Sequence, residues 1–325
     1  MTDSAETFAA FAQAALPAYG LHPEARLSLL NVSENGTFAI DDPDAGRSVL
    51  RVHRSGYHSV EAIRSELAWI DALRAEHVVS TPAYLPAADG SPVVTARLPD
   101  GTTRQVVRFA WVDGSEPHAA RLASDFVQLG AISARLHAHA RTWRRPPGFT
   151  RFVWDYDTSI GPAGHWGRWQ DGLGVGAEEL AVLGRLDAVL RQRLAAYGTG
   201  PERFGLVHAD MRLANLLVAG DQVHVIDFDD CGFSWYLYDL ASSVSFIEHE
   251  PYIPELIDAW VRGYRSLADL SPADEAELPT FVMLRRLLLV AWIGSHAATQ
   301  TAQEMGPEFT TTSCHLAEQY LSDHI

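Results

Sequence analysis

The chain has 325 residues, 47% of them hydrophobic, and carries 41 acidic against 25 basic side chains for a formal net charge of −16. That length can bury a large core and divide into two lobes. The acid excess disfavours nucleic acid and other polyanionic partners and mildly attracts cationic substrates. Two cysteines, Cys231 and Cys314, are too few for a disulfide scaffold and lack metal-type spacing.

Residues 1–6 show neither the basic region nor the apolar stretch of a secretory signal. The longest apolar run, residues 287–293, is too short to span a bilayer, so a cytoplasmic protein with no membrane partner is expected. The oligomeric state is left open.

In chain order, residues 27–32 and 37–40 read as two strands joined by the turn-forming Ser33-Glu34-Asn35-Gly36. Residues 48–54, Ser48-Val49-Leu50-Arg51-Val52-His53-Arg54, form a β-rich run. In residues 60–70 the apolar positions recur at helical spacing, with Glu61 and Glu66 among them. Residues 104–114 read as a strand running into a turn. Helical stripes then dominate: Leu122, Phe126, Leu129, Ile132 and Leu136 form one, and Leu180, Leu183, Leu186, Leu190 and Leu194 another.

His137 and His139 lie two apart on the first of these helices and point in different directions, which favours a structural role over a shared metal. Between the helices, Trp154, Asp155, Tyr156, Asp157, Trp166 and Trp169 read as anchors of an irregular connection. Rings beside acids also suit an alkylammonium acceptor. Trp260, Tyr264 and residues 284–293 read as core. Glu248, His249 and Glu250 face the acceptor or begin a solvated helix.

The most informative window is Leu206-Val207-His208-Ala209-Asp210-Met211-Arg212-Leu213-Ala214-Asn215, followed by Ile226-Asp227-Phe228-Asp229-Asp230. Phosphoryl transfer needs a base near the acceptor hydroxyl and a metal held by hard oxygen ligands. Asp210, on a loop after the apolar residues 204–207, is placed to accept the hydroxyl proton. Arg212 is a permanent cation two residues on. Asn215 and Asp227 offer the oxygens that Mg²⁺ prefers. Residues 216–218 and 223–226, separated by Ala219-Gly220-Asp221-Gln222, predict a hairpin that brings Asn215 and Asp227 to one open end. Asp229 and Asp230 assist the metal or cap a turn, and Asp239 braces the loop by accepting backbone N–H bonds.

This window resembles the HxDxxxxN loop and the following metal-binding Asp of the aminoglycoside phosphotransferase and choline kinase superfamily, whose fold is similar to that of protein kinases. Residues 227–241 look most like bacterial homoserine kinase-like and stress-response Ser/Thr kinase-like members. The resemblance implies a two-lobed α+β fold, with a small antiparallel-sheet N-lobe carrying one key helix and a larger, mainly helical C-lobe. It implies ATP and Mg²⁺ as cofactors, Asp210 as catalytic base, Asn215 and Asp227 as metal ligands with Asp230 as a further candidate, Arg212 in the place of the catalytic-loop Lys, and His208 as a scaffold of the loop.

In the N-lobe the resemblance places Arg51 where kinase-like enzymes carry the Lys of a VAIK-type strand. This is a departure, because Arg binds phosphate as a fork and never loses its proton. Its partner acid is Glu66, with Glu61 competing. The turn with Ser33 and Asn35 lacks a GxGxxG pattern but is positioned to lie over the phosphates. Phe109, Ala110, Trp111 and Val112 fall at the hinge, where backbone groups pair with adenine. The lobe boundary follows near Asp113, giving a nucleotide-binding lobe over residues 1–113 and a catalytic and acceptor-binding lobe over 114–325.

The expected activity is transfer of the γ-phosphoryl group of ATP to a hydroxyl of a small molecule such as an amino alcohol or aminoglycoside. A Ser/Thr protein kinase is the alternative, followed by an ATP-binding pseudoenzyme and a plain interaction module.

Overall fold

The computed structural model describes residues 4–32, 34–118 and 121–324. It resolves into two compact units, Met1–Gly114 with Arg145–Arg151 and Ser115–Arg144 with Phe152–Ile325. The antiparallel sheet is in the first unit and most of the helix is in the second, as an α+β chain requires.

The first unit opens with α1 (Ala5–Ala15), whose N-cap Ser4 accepts the Thr7 N–H. Strands β1 (Arg26–Val32), β2 (Gly36–Asp42) and β3 (Gly46–Val52) follow. The β2–β3 turn closes because the Asp42 carboxylate accepts the N–H groups of Asp44 and Ala45, and because Gly46 supplies φ 72°. Helix α2 (Val60–Ala75) is capped by Ser59, and β4 (Tyr84–Leu85), β5 (Val94–Arg97) and β6 (Thr103–Ala110) complete a six-stranded sheet. Its order is β1-β2-β3-β6-β4, with β5 also paired to β6.

The period of two decides which residue reaches which face. Phe38, Ile40, Leu50, Val52, Val94, Ala96 and Val106 pack with Phe8, Phe11, Leu16 and Tyr19 of the N-terminal segment. Each Phe, Ile, Leu or Val among them contributes roughly 1.5–3 kcal/mol. Arg51, between Leu50 and Val52, is therefore turned to the other face, where it meets α2.

The second unit contains α3 (Leu122–Thr142), β7 (Phe152–Val153), α4 (Tyr156–Ser159) and α5 (Ala177–Tyr197). Next come β8 (Phe204–Val207), the hairpin β9 (Leu216–Ala219) and β10 (Gln222–Val225), and β11 (Gly232–Trp235). Then follow α6 (Tyr238–Ser243), α7 (Ile253–Arg265), α8 (Pro272–Glu275), α9 (Leu278–Ser295) and α10 (Gln300–His324). Strand β11 pairs antiparallel with β8 and parallel with β7.

Helix α9 is apolar on nearly every side, so it serves as the central post and packs against α5, α6 and α10. By length and composition the stretch Pro272–Ser295 contains an 18-residue window sufficient to cross a bilayer, contrary to what the 287–293 run alone suggests. Yet 83% of that window is buried within the fold. The leucine stripes of α3 and α5 face inward from Phe126 and Leu183 onward. The leading residue of each departs: Leu122 is half-buried and Leu180 is 42% exposed, since both sit in a first turn.

Helices α3 and α7 touch backbone to backbone. A β-carbon on Gly130 would collide with the Trp260 carbonyl, and one on Gly263 with the Val127 carbonyl. Both glycines are needed for this close approach.

Candidate active site

The site grows from the end of β8. Beyond Val207 the chain makes a sharp loop with Ala209 at φ 69°, a left-handed conformation that costs a non-glycine residue about 1–2 kcal/mol. Four consecutive backbone N–H groups hold it there. His208 and Ala209 donate to Asp239 Oδ2 and Oδ1 at 3.3 and 2.8 Å, Asp210 donates to His208 Nδ1 at 3.3 Å, and Met211 donates to Ser242 Oγ at 2.8 Å. The strained turn persists because its surroundings over-determine it. Asp239 thus braces the loop through backbone N–H bonds, as its position suggested.

His208 is fully buried and is bonded at both nitrogens, with Nε2 at 3.1 Å from the Ile226 carbonyl. A carbonyl only accepts, so Nε2 carries the proton and Nδ1 receives the Asp210 N–H. The ring therefore ties the Asp210 loop to the chain that leads to Asp227.

His137 is the support behind Asp239. Its Nε2 lies 3.0 Å from Asp239 Oδ2 and its Nδ1 3.1 Å from the Tyr264 hydroxyl. Burial lowers its pKa, outweighing the opposing pull of Asp239 and aided by Arg141. Burial also pushes the Tyr264 hydroxyl up to about 12, so it remains a donor.

A histidine whose folded pKa lies below its unfolded value of about 6.5 contributes stability above that pH, and loses it as pH falls through the folded value. The drop in urea midpoint between about pH 7.5 and about pH 5.5 is expected to be smaller in His137→Gln than in the parent. Equal drops would remove His137 as the source.

Asp210 itself is only 13% exposed. Its Oδ1 accepts from Arg285 Nη2 at 2.7 Å, and its Oδ2 accepts from Asn215 Nδ2 at 2.7 Å. The same Asn215 nitrogen reaches the Asp210 carbonyl at 2.9 Å, and Arg212 Nε lies 3.2 Å from Oδ2. Asn215 spends its amide N–H groups on Asp210, which orients its carbonyl oxygen away from the carboxylate.

The β9–β10 hairpin does what its sequence implies. Leu216 pairs with Val225, and the Ile226 N–H donates to the Asn215 carbonyl at 2.9 Å. Asp227 follows directly, exposed and at φ 59°. Asp229 is buried and Asp230 half-buried, with carboxylate oxygens within 4.8 Å of each other. The Asp230 carbonyl accepts from Trp154 Nε1, which locks this segment onto the connection after β7. Trp154, Trp166 and Trp169 are 1%, 5% and 3% exposed, which makes them anchors.

In the first unit, Arg51 Nη2 donates to both oxygens of Glu66 at 2.6 and 2.8 Å, with Glu66 fully buried. Glu66 and not Glu61 is the partner, because Glu61 lies in the first exposed turn of α2. Asn35 Oδ1 accepts the Arg54 N–H at 2.9 Å, and Ser33 lies outside the described residues. Phe109 and Ala110 end β6, where Phe109 lies under the Arg51 guanidinium and the Ala110 N–H is spent on the Ala83 carbonyl. Trp111 Nε1 donates to Asp113 and its ring lies 3.7 Å from the Arg47 guanidinium, just before Val112.

Arg285 sits in α9, in a stretch whose composition reads as core, so its place at Asp210 is not expected from sequence. Two adjacent guanidinium groups inside an otherwise apolar helix were the available signal, since buried charge demands a partner. Arg286 beside it is bonded to Glu248 Oε2 at 2.6 Å, to Ser313 and to the Phe309 carbonyl. Glu248 is consequently interior, neither solvated nor the start of a helix.

Residues 28–276 match the model of the phosphotransferase enzyme family, well over half of the chain. The chain belongs to that family. Its fold follows that of a microcompartment-associated aminopropanol kinase with TM-score 0.91 and 48% identity, covering 97% of this chain and 98% of that one. It is also similar to amicoumacin kinase of Bacillus subtilis (strain 168), 22% identical over 74% of this chain and 72% of the relative. A structure of amicoumacin kinase hAmiN in complex with AMP-PNP, Ca2+ and Ami shares the fold at TM-score 0.75 and 23% identity, covering 94% and 92% of the two chains. This phosphotransferase is a kinase that acts on an alcohol group.

Proposed function

We propose that this phosphotransferase moves the γ-phosphoryl group of Mg·ATP to the hydroxyl of a small amino alcohol, with Asp210 as the base. One observation carries the reading: the Asp210 carboxylate is presented at the end of β8 between Asn215 and Arg285, in a chain 48% identical to an aminopropanol kinase. After accepting from both neighbours the carboxylate still has lone pairs for the incoming hydroxyl proton. Arg212, 30% exposed beside it, offers positive charge to the transferring group. His208 keeps the loop in register.

The donor set fits a hard divalent cation. The Asn215 amide orientation leaves its oxygen for a ligand, Asp227 follows the hairpin exposed, and Asp229 with Asp230 brings two carboxylates near each other. Asn215 and Asp227 would hold the ion, with Asp230 assisting; when bound, it neutralises charge on the phosphate oxygens.

Residues 1–113 serve the nucleotide, Arg51 offering a fork held straight by Glu66 and Asn35 shaping the turn that faces the phosphates. The backbone from Phe109 to Val112 serves the base through Trp111 and Val112, since the Ala110 N–H is already committed. Residues 114–325 hold the chemistry and the acceptor.

Incubation with Mg·ATP and, separately, aminopropanol, ethanolamine, choline, homoserine and an aminoglycoside tests this. A phosphorylated amino alcohol in the mass spectrum is expected. Labelled phosphate passing only to protein, or to none of these alcohols, would overturn the reading. In parallel, Asp227→Ala is expected to abolish the thermal stabilisation that Mg·ATP gives the parent. An undiminished shift would remove Asp227 from the metal site.

A further inference from the structure

We infer that Arg285 is a positioning residue, holding the carboxylate of Asp210 at the angle that transfer demands; this rests on Asp210 being the base. Its side chain is 3% exposed, and each guanidinium nitrogen has its own partner. Nε donates to Ser245 Oγ at 2.9 Å, Nη1 to the Tyr238 hydroxyl at 3.0 Å, and Nη2 to Asp210 Oδ1 at 2.7 Å. The Trp166 ring lies 5.2 Å from its carbon centre.

A planar fork fixed at three nitrogens cannot rotate about its axis, so the Nη2–H that reaches Asp210 has one direction. With Asn215 on Oδ2, two donors define the plane of the carboxylate. The remaining supports of the loop act on its backbone. Arg285 and Asn215 hydrogen-bond the functional group itself, and Arg212 adds its charge at 3.2 Å from Oδ2.

The environment points the same way. Burial opposes a charge at this position, and Tyr238, Asp210 and Asp230 together more than reverse that, so the guanidinium stays ionised. Apart from Arg286, which has its own acid in Glu248, the buried neighbours of Arg285 along helix α9 are mainly apolar, and an ion pair is an expensive way to fill such a space compared with leucine. Misplacement of a reacting group by about 1 Å costs on the order of 10²-fold in rate, which is a sufficient reason to place a rigid cation here.

The test compares Arg285→Met and Arg285→Lys with the parent, following ADP release with aminopropanol as acceptor and with water alone. The Met variant should lose roughly 10²-fold in kcat while the KM for ATP stays within about threefold. Lys, which keeps the charge and one bond, should recover about tenfold of that loss. A folded Met variant with parental kcat, or a Met variant that raises only the KM for ATP, overturns the proposal.

Should the Met variant fail to fold, the double variant Tyr238→Phe with Ser245→Ala decides. It frees two nitrogens of Arg285 without touching Asp210, and should lower kcat with unchanged KM for ATP. Parental kcat there also overturns the proposal. Asp210→Asn run alongside separates the two readings: activity surviving in it defeats the base assignment, whereas its loss beside a fully active Arg285→Met defeats only the positioning role.

Discussion

Asp210→Asn is expected to reduce kcat by about 10²–10⁴-fold while leaving nucleotide affinity within about threefold. The amide oxygen of Asn can still accept from Arg285 or Asn215, so the loop geometry should survive. What disappears is the capacity to take a proton. The measurement is steady-state kinetics with the phosphorylated acceptor as product, together with direct titration of ATP. Turnover within a few-fold of the parent would show that another group does the proton transfer.

The same substitution should lower the melting temperature, because Arg285 keeps its charge and loses its counter-charge. Leaving one member of a buried pair unmatched costs on the order of 3–5 kcal/mol in the fully buried limit, and less here because Asp210 is 13% exposed. Assays therefore belong well below the variant's melting temperature.

Arg286→Leu is expected to have the largest effect on stability. Arg286 and Glu248 are 1% and 0% exposed, 2.6 Å apart, and the guanidinium also satisfies Ser313 Oγ and the Phe309 carbonyl. Removing the cation strands a carboxylate in the interior at a cost of about 3–5 kcal/mol, a shift of roughly 2–4 °C for each kcal/mol in a domain of this size. Adding Glu248→Leu should return much of the loss, since replacing both partners by apolar groups removes the stranded charge. Chemical denaturation of the single and double variants checks this as a double-mutant cycle. If the double variant is no more stable than Arg286→Leu alone, the loss comes from packing around Phe309 and not from charge.

Much of the architecture was readable because it depends on local rules. The β-rich run over residues 48–54 is a strand in the structure, and there the period of two sends Leu50 and Val52 into the sheet core and Arg51 to the other face. The β9–β10 hairpin was legible from two apolar runs around Ala219-Gly220-Asp221-Gln222, and it sets Asn215 and Ile226 side by side. It also puts Asp227 one residue beyond Ile226, while Asn215 donates to the Asp210 carboxylate from the other end of the hairpin. Glu66 was harder, because Glu61 shares its helix and only the burial pattern of α2 separates them.

Arg285 was illegible for a different reason. It is 75 residues from Asp210, in a helix whose composition reads as core, and no spacing rule links α9 to the end of β8. Of the two readings open to Glu248 in sequence, facing the acceptor or beginning a solvated helix, the second fails because only the tertiary fold supplies the cation that takes this acid inside. The leucine at the head of α5 also failed its stripe, since periodicity does not say where along a helix the core begins.

The glycine crossing of α3 and α7 has a consequence for how this enzyme can vary. Two turns beyond Gly130 comes His137, and Tyr264 adjoins Gly263, so the crossing sets the spacing of the pair on which Asp239 leans. Thickening either helix by a single methyl would wedge them apart and carry the shift through Asp239 to the loop that holds Asp210, with no change in the loop's own sequence. Heritable differences in turnover can thus originate at a hinge pin far from the chemistry.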